Sequence, residues 1–187
     1  MSRLLIVYGT SEGQTRKIAG YIAGVAREMG IDADAADSAG GPPLAVGRYD
    51  AVVVAGSVHV GRHQRSLVAF VRRNLEALRR RPTAFLSVSL AATGSDLPGA
   101  QRCADAFLRE TGWRPGRTHL VAGALMYSRY GFITRWMMRR IARKAGGGTD
   151  ISRDYEYTDW PRLRADVEAF LRDGAAIPTP ELAGAAD

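Results

Sequence analysis

The stretch YGTSEGQTRKIA, Tyr8 to Ala19, closes one pattern and begins another. Upstream, LLIVY (Leu4 to Tyr8) is a continuous apolar run rich in branched residues, which reads as a strand buried on both faces. Downstream, Ile18, Ile22, Val25, Ala26 and Met29 recur at helical spacing until Gly30 stops the helix. Between the two stand Thr10, Ser11, Gly13, Gln14 and Thr15. The first amides of a helix have no internal acceptor, and the helix dipole places partial positive charge there. Three hydroxyls able to donate, and a glycine that lets the backbone curl, make this junction a pocket for a phosphate group. An ordinary helix start needs one capping hydroxyl, Ser11 or Thr10; three exceed that need. Neither G-x-x-x-x-G-K-[ST] nor G-x-G-x-x-G occurs, and a lone phosphate monoester held by neutral donors requires no lysine.

Outward from this junction the alternation continues. IDADAAD reads as a weaker strand and YDAVVVAGS as a strongly buried one; RSLVAFVRRNLEALRR reads as one helix, then TAFLSVSL as a strand. GAQRCADAFLRET is a helix, HLVAGAL a single buried strand and WPRLRADVEAFLRD a last helix. Strands too apolar for one-sided sheets, alternating with helices, imply an α/β chain with a parallel sheet covered on both faces. Right-handed crossovers put a crevice at the carboxyl ends of the first and third strands. The alternation breaks once, where 34 residues separate Leu125 from Trp160; such connections normally take about 2–6. The expected organisation is a single domain over 1–174, with an insert at about 127–159 and a frayed tail over 175–187.

The 187 residues suffice for one core. A lone cysteine, Cys103, excludes an internal disulfide and reads as a small buried helix residue in a reducing cytoplasm. No signal-peptide pattern is present, and no stretch approaches the roughly 18 apolar residues of a spanning helix. The formal charge of +7 is localised: Arg129, Arg135, Arg139, Arg140, Arg143 and Lys144 carry six positive charges with no acidic residue between Tyr127 and Lys144. His59 and His63 read as loop side chains near solvent, His59 also as a donor to a ligand; neither has the companions a metal site needs. His119 carries no assigned role. No G-x-S-x-G elbow occurs, and the strand ends lack the carboxylates of a phosphorylated receiver.

The run I-V-Y-G-T-S-E-G-Q-T resembles the flavodoxin signature, a strand followed by [ST]-x-x-G-x-T. That resemblance implies a flavodoxin-like three-layer sandwich with a five-stranded sheet of order 2-1-3-4-5, and FMN as cofactor. Thr10, Ser11, Glu12, Gly13, Gln14 and Thr15 would wrap the phosphate. Two further loops would frame the ring: Ser57, Val58, His59, Val60 and Gly61, then Ser89, Leu90, Ala91, Ala92, Thr93 and Gly94. Neither SVHVGRH nor SLAATG contains the aromatic residues with which flavodoxins often sandwich the ring. W-R-P (from Trp113), A-G-A-L-x-Y-x-R-Y (from Ala122), GGGTD and Y-T-D-W (from Tyr157) are similar to the family of bacterial flavodoxin-type, menaquinone-dependent protoporphyrinogen oxidases. This likeness extends from Ser2 to about Leu171.

From Phe132 to Ile141 the spacing predicts an amphipathic helix, with Phe132, Ile133, Trp136, Met137 and Ile141 on one side. Three uses are open: lying on an anionic membrane, bordering a porphyrinogen whose propionates want arginines, or packing on the sheet. Arg62, Arg129, Phe132, Arg135, Trp136, Arg139 and Arg140 are the residues named for substrate or membrane contact. No nucleic-acid-reading pattern accompanies them. The resemblance implies an oxidoreductase of haem synthesis, passing electrons from protoporphyrinogen IX to menaquinone or ubiquinone at the inner face of the cell membrane. No side chain is assigned as acid or base, since hydride can pass directly to the flavin. Other readings are a flavodoxin-type electron carrier without turnover, against which the basic charge speaks, and an NAD(P)H:quinone reductase of the same fold. A homodimer is compatible with the sequence.

Overall fold

The computed structural model describes residues 3–40, 45–125 and 154–176. Five strands form one parallel sheet: β1 (Arg3–Gly9), β2 (Asp32–Asp37), β3 (Ala51–Ser57), β4 (Thr83–Ser89) and β5 (Arg117–Ala122). Their order is β2-β1-β3-β4-β5, with Leu4 opposite Ala33 on one side and Ala51 on the other. Five α-helices are described beside them: α1 (Gln14–Glu28), α2 (Arg65–Arg73), α3 (Leu75–Arg79), α4 (Leu97–Thr111) and α5 (Trp160–Ala176).

The continuous apolar runs of β1 and β3 follow from their central place, because successive side chains point to opposite faces and both faces are covered. Leu4, Ile6 and Tyr8 join the cluster with Ile18 and Ile22 of α1 and Leu163, Val167 and Phe170 of α5. Leu5 and Val7 face the other cluster, with Leu67 and Val71 of α2 and Phe107 of α4. Trp113, only 1% exposed, closes this second layer edge-on to Phe85 at 5.9 Å, which accounts for the W of W-R-P. The strand β2, at the sheet edge, buries only Ala33, so its sequence is correspondingly weaker in pattern.

Two elements expected to be continuous are broken. Asn74 divides α2 from α3: its side-chain amide donates to the Phe70 carbonyl at 2.9 Å, a local bond that competes with helix propagation. Gly123 divides HLVAGAL. Its N–H donates to the Ser89 carbonyl (3.1 Å) and its carbonyl accepts from Tyr157 N–H (3.0 Å), so the chain leaves the sheet. It then forms β6 (Ala124–Leu125), antiparallel to β7 (Tyr155–Glu156). The last helix runs to Ala176, past the expected start of the tail at 175. The segment with Arg129, Phe132, Arg135, Trp136, Arg139 and Arg140 lies outside the described residues.

Candidate functional site

Three loops meet at the carboxyl edge of β1, β3 and β4, where the strand order reverses around β1 and β3. The first joins β1 to α1. Gly13 takes a left-handed conformation (φ 96°) and is the N-terminal cap position of α1, which no side chain caps. Thr10 Oγ1 accepts the Gly13 N–H at 2.9 Å, so this hydroxyl shapes the loop rather than the helix end. Thr15 is fully buried, and its Oγ1 has no hydrogen-bond partner. A buried hydroxyl without a partner costs about 1–3 kcal/mol. It stands beside amides without helical acceptors, and together these donors could hold an oxygen anion.

Ser11 is exposed at the loop's rim. Glu12 turns aside, its Oε1 3.9 Å from His59 Nδ1 of the second loop. Gln14, although in the phosphate motif, sends its side chain elsewhere: Nε2 donates to Glu156 Oε1 (2.7 Å) and Thr158 Oγ1 (2.9 Å). This leaves only its backbone amide for the loop. Thr158 in turn donates to the Ala122 carbonyl at 2.8 Å, and Lys17 Nζ pairs with Glu156 at 2.8 Å. Burial pushes the Glu156 carboxyl up, but the bonds from Lys17 and Gln14 outweigh it and hold the group below its usual range. Here the Y-T-D-W segment acquires its physical meaning: it ties α1 to the end of β5.

The second loop, after Ser57, is a tight turn. His59 N–H donates to Arg62 O (2.8 Å) and Arg62 N–H to His59 O (3.1 Å), with Val60 at φ 49° and Gly61 at φ 75° between them. Positive φ at both central residues is the type I′ pattern. Glycine suits it, but a β-branched residue there is strained. Val60 is 84% exposed, so the strain is not repaid by burial within the chain. Arg62 is exposed beside it. His63 departs from expectation: it is buried, 9% exposed, with Nε2 3.1 Å from Ser87 Oγ and its ring 5.0 Å from Phe107. Burial lowers its pKa to about 4, so the imidazole is neutral.

The third loop follows β4. Ser89 Oγ accepts the Ala92 N–H at 3.2 Å, Ala91–Thr93 form a 3-10 turn, and Gly94 ends it at φ 105°. Leu90 sits half-buried beneath the turn, its carbonyl accepting from Thr93 Oγ1 at 2.8 Å. Val58 N–H bonds the Val88 carbonyl at 2.8 Å, which fixes the second loop to the root of the third. A cavity of about 320 Å³ adjoins this loop, between Ala92 and Thr93 on one side and Tyr157 and Arg162 on the other. The structure thus brings all three expected loops to one edge. Gln64, Glu156 and Thr158 were missing from the expected site. Gln64 Nε2 joins Ser57 Oγ (2.6 Å) to Ser11 Oγ (3.2 Å), a link no local pattern announces.

Among the described residues no group of three or more His, Cys, Asp or Glu is placed to hold a metal, and no helix is long and apolar enough to cross a membrane. Cys103 lies half-buried on α4 with a free thiol.

The family model described as a flavodoxin domain matches residues 5–152. Protoporphyrinogen IX dehydrogenase [quinone] of Escherichia coli K12 is 36% identical over 163 residues, covering 86% of this chain and 90% of the relative. The protein of that name from Leishmania major is 32% identical over 179 residues, covering 94% and 76% respectively. Among solved structures, oxidised flavodoxin 1 from Bacillus cereus superposes with a TM-score of 0.55 at 15% identity, covering 91% of this chain and 98% of its own. The chain belongs to the flavodoxin-domain family, together with these protoporphyrinogen IX dehydrogenases.

Proposed function

We propose that this chain is an FMN-dependent oxidoreductase that oxidises protoporphyrinogen IX and delivers the electrons to a quinone, menaquinone or ubiquinone, in haem synthesis. The observation that carries the reading is the uncapped start of α1 with the buried, partnerless Thr15 hydroxyl, framed by two further loops. The named relatives support the choice of substrate pair.

Bound FMN would supply the two-electron chemistry, and the protein's part is to hold and orient it. The amides of Ser11, Glu12, Gln14 and Thr15, with the Ser11 and Thr15 hydroxyls, would hold the phosphate, the Gly13 N–H being taken by Thr10. Thr10 and Gly13 keep the loop curled, and the Gln14 side chain locks α1 from behind. Ser57 to Gly61 and Ser89 to Gly94 frame the ring, with Val60 offering an apolar surface in place of an aromatic one. The cavity beside Thr93 is room for part of a reductant next to that frame. Arg62, exposed beside that frame, would meet a propionate, and the arginines of 129–140 are assigned to substrate or an anionic membrane surface. The domain is taken as 1–174 with its insert at about 127–159.

Anaerobic mixing of flavin-loaded protein with protoporphyrinogen tests the activity. The yellow colour should bleach and return when quinone is added; colour that persists refutes it. Salt-sensitive partition onto anionic vesicles, abolished by deleting residues 128 to 148, is expected for the peripheral membrane location. No partition at low salt refutes that location.

A further inference from the structure

We infer that Gln64 is a positioning residue: its amide turns the hydroxyls of Ser11 and Ser57 into outward donors toward the bound mononucleotide. The inference rests on the FMN reading of the site and adds a residue outside all three loop motifs.

Gln64 occupies the N-terminal cap position of α2, yet its side chain makes no cap bond there. Serine, threonine, aspartate or asparagine would serve that helix better. The side chain instead reaches across the mouth of the crevice. Nε2 donates to Ser57 Oγ at 2.6 Å and to Ser11 Oγ at 3.2 Å. Its Oε1 is buried with no partner. It presses on the end of β1, where a Cβ on Gly9 would lie 2.7 Å from Oε1. The absence of a Cβ on Gly9 thus leaves room for the amide in this position.

For folding alone this is a poor arrangement. An uncapped helix and a buried orphan carbonyl both cost stability, and an apolar isostere would remove the second cost. For binding it is useful. A hydroxyl has one hydrogen and two lone pairs. When Nε2–H fills a lone pair on each serine, both O–H hydrogens are left for the ligand. One lies at the phosphate loop and one at the ring loop, with their separation set by a single amide. In the opposite amide orientation the carbonyl would take both hydroxyl hydrogens, and the donors would be lost.

The test is titration of the apoprotein with FMN, followed by flavin fluorescence, for the parent, Gln64→Met and Gln64→Glu, with thermal melting of each apoprotein. Methionine matches the volume without donors; glutamate can only accept, and so withdraws both hydroxyl hydrogens. The Met variant should melt no lower than the parent yet bind FMN about ten- to a hundredfold more weakly, the loss of oriented bonds to a charged group. The Glu variant should bind more weakly still. Ser11→Ala should cost less affinity in the Met background than in the parent, because its donor is already misdirected. A Met variant that binds like the parent overturns the inference. So does one that melts well below it, since Gln64 would then be a structural filler, and so does a Glu variant as tight as the Met variant. A parent that binds no FMN overturns both this and the proposed function, whereas failure of the variants alone leaves that function standing.

Discussion

Val60→Gly should make the apoprotein more stable while weakening its hold on flavin. Val60 sits at φ 49° at the tip of the second loop, with 84% of its surface exposed. Left-handed backbone costs a residue with a Cβ about 1–2 kcal/mol, and glycine pays none of it. Against this, the extra freedom of glycine in the unfolded chain costs about 0.5–1 kcal/mol. Because the side chain is so exposed, its removal forfeits almost no burial within the protein. The net gain is about 0.5–1 kcal/mol, a rise of about 1–4 °C in melting temperature for a domain of this size. Val60→Ala is the control: it keeps the Cβ, hence most of the strain, and should shift the melt by less than half as much. Gly61→Ala, at φ 75° in the same turn, should lower stability by about 1 kcal/mol. In the FMN titration Val60→Gly should lose about 1–2 kcal/mol, the worth of an apolar side chain on an aromatic ring. If Val60→Gly melts at or below the parent, the turn is not strained; if FMN affinity is unchanged, the isopropyl group does not meet the ring.

Thr15→Val replaces a partnerless buried hydroxyl with a methyl of the same shape. Apoprotein stability should hold or rise, and FMN affinity should fall by about 1.5–3 kcal/mol on titration. His63 is depressed from 6.5 to about 4 in the folded state, so the unfolded chain binds the extra proton between those values. The stability this confers is full above pH 6.5 and falls by about 3 kcal/mol as pH drops to 4. Denaturant melts of His63→Gln across that range should lose this part of the slope. Gln14→Leu removes two bonds that join α1 to Glu156 and Thr158, and should cost about 2 kcal/mol in a urea melt. The loss should shrink at acid pH, once Glu156 is protonated and the bond is no longer charge-assisted.

The start of the fold was open to reading because β1 and α1 show their periodicities within a few residues of each other. The flavodoxin-like signature then supplied the strand order and the three loops. Breaks were hidden where side-chain pattern and backbone partner disagree. After His119, LVAGAL is an unbroken apolar run, yet Gly123 bonds outward to Ser89 and Tyr157. His63 stands between Arg62 and Arg65, two residues after Gly61, which suggests solvent. The structure buries it because Gly56 leaves it room: a Cβ there would lie 2.8 Å from His63 Cδ2. Gln64 was invisible for a different reason. Its meaning depends on two serines 53 and 7 residues away, brought together only by the parallel order of β1 and β3.

The short β6–β7 ribbon has an evolutionary consequence. Leu125 and Tyr155 are directly paired, so the chain departs and returns at points only about 5 Å apart. Whatever connects them can be exchanged for a tight reverse turn without asking the sheet to move, while Gln14 and Thr158 keep the ribbon's root seated. The position therefore tolerates connections of very different length, because their two ends are already held together.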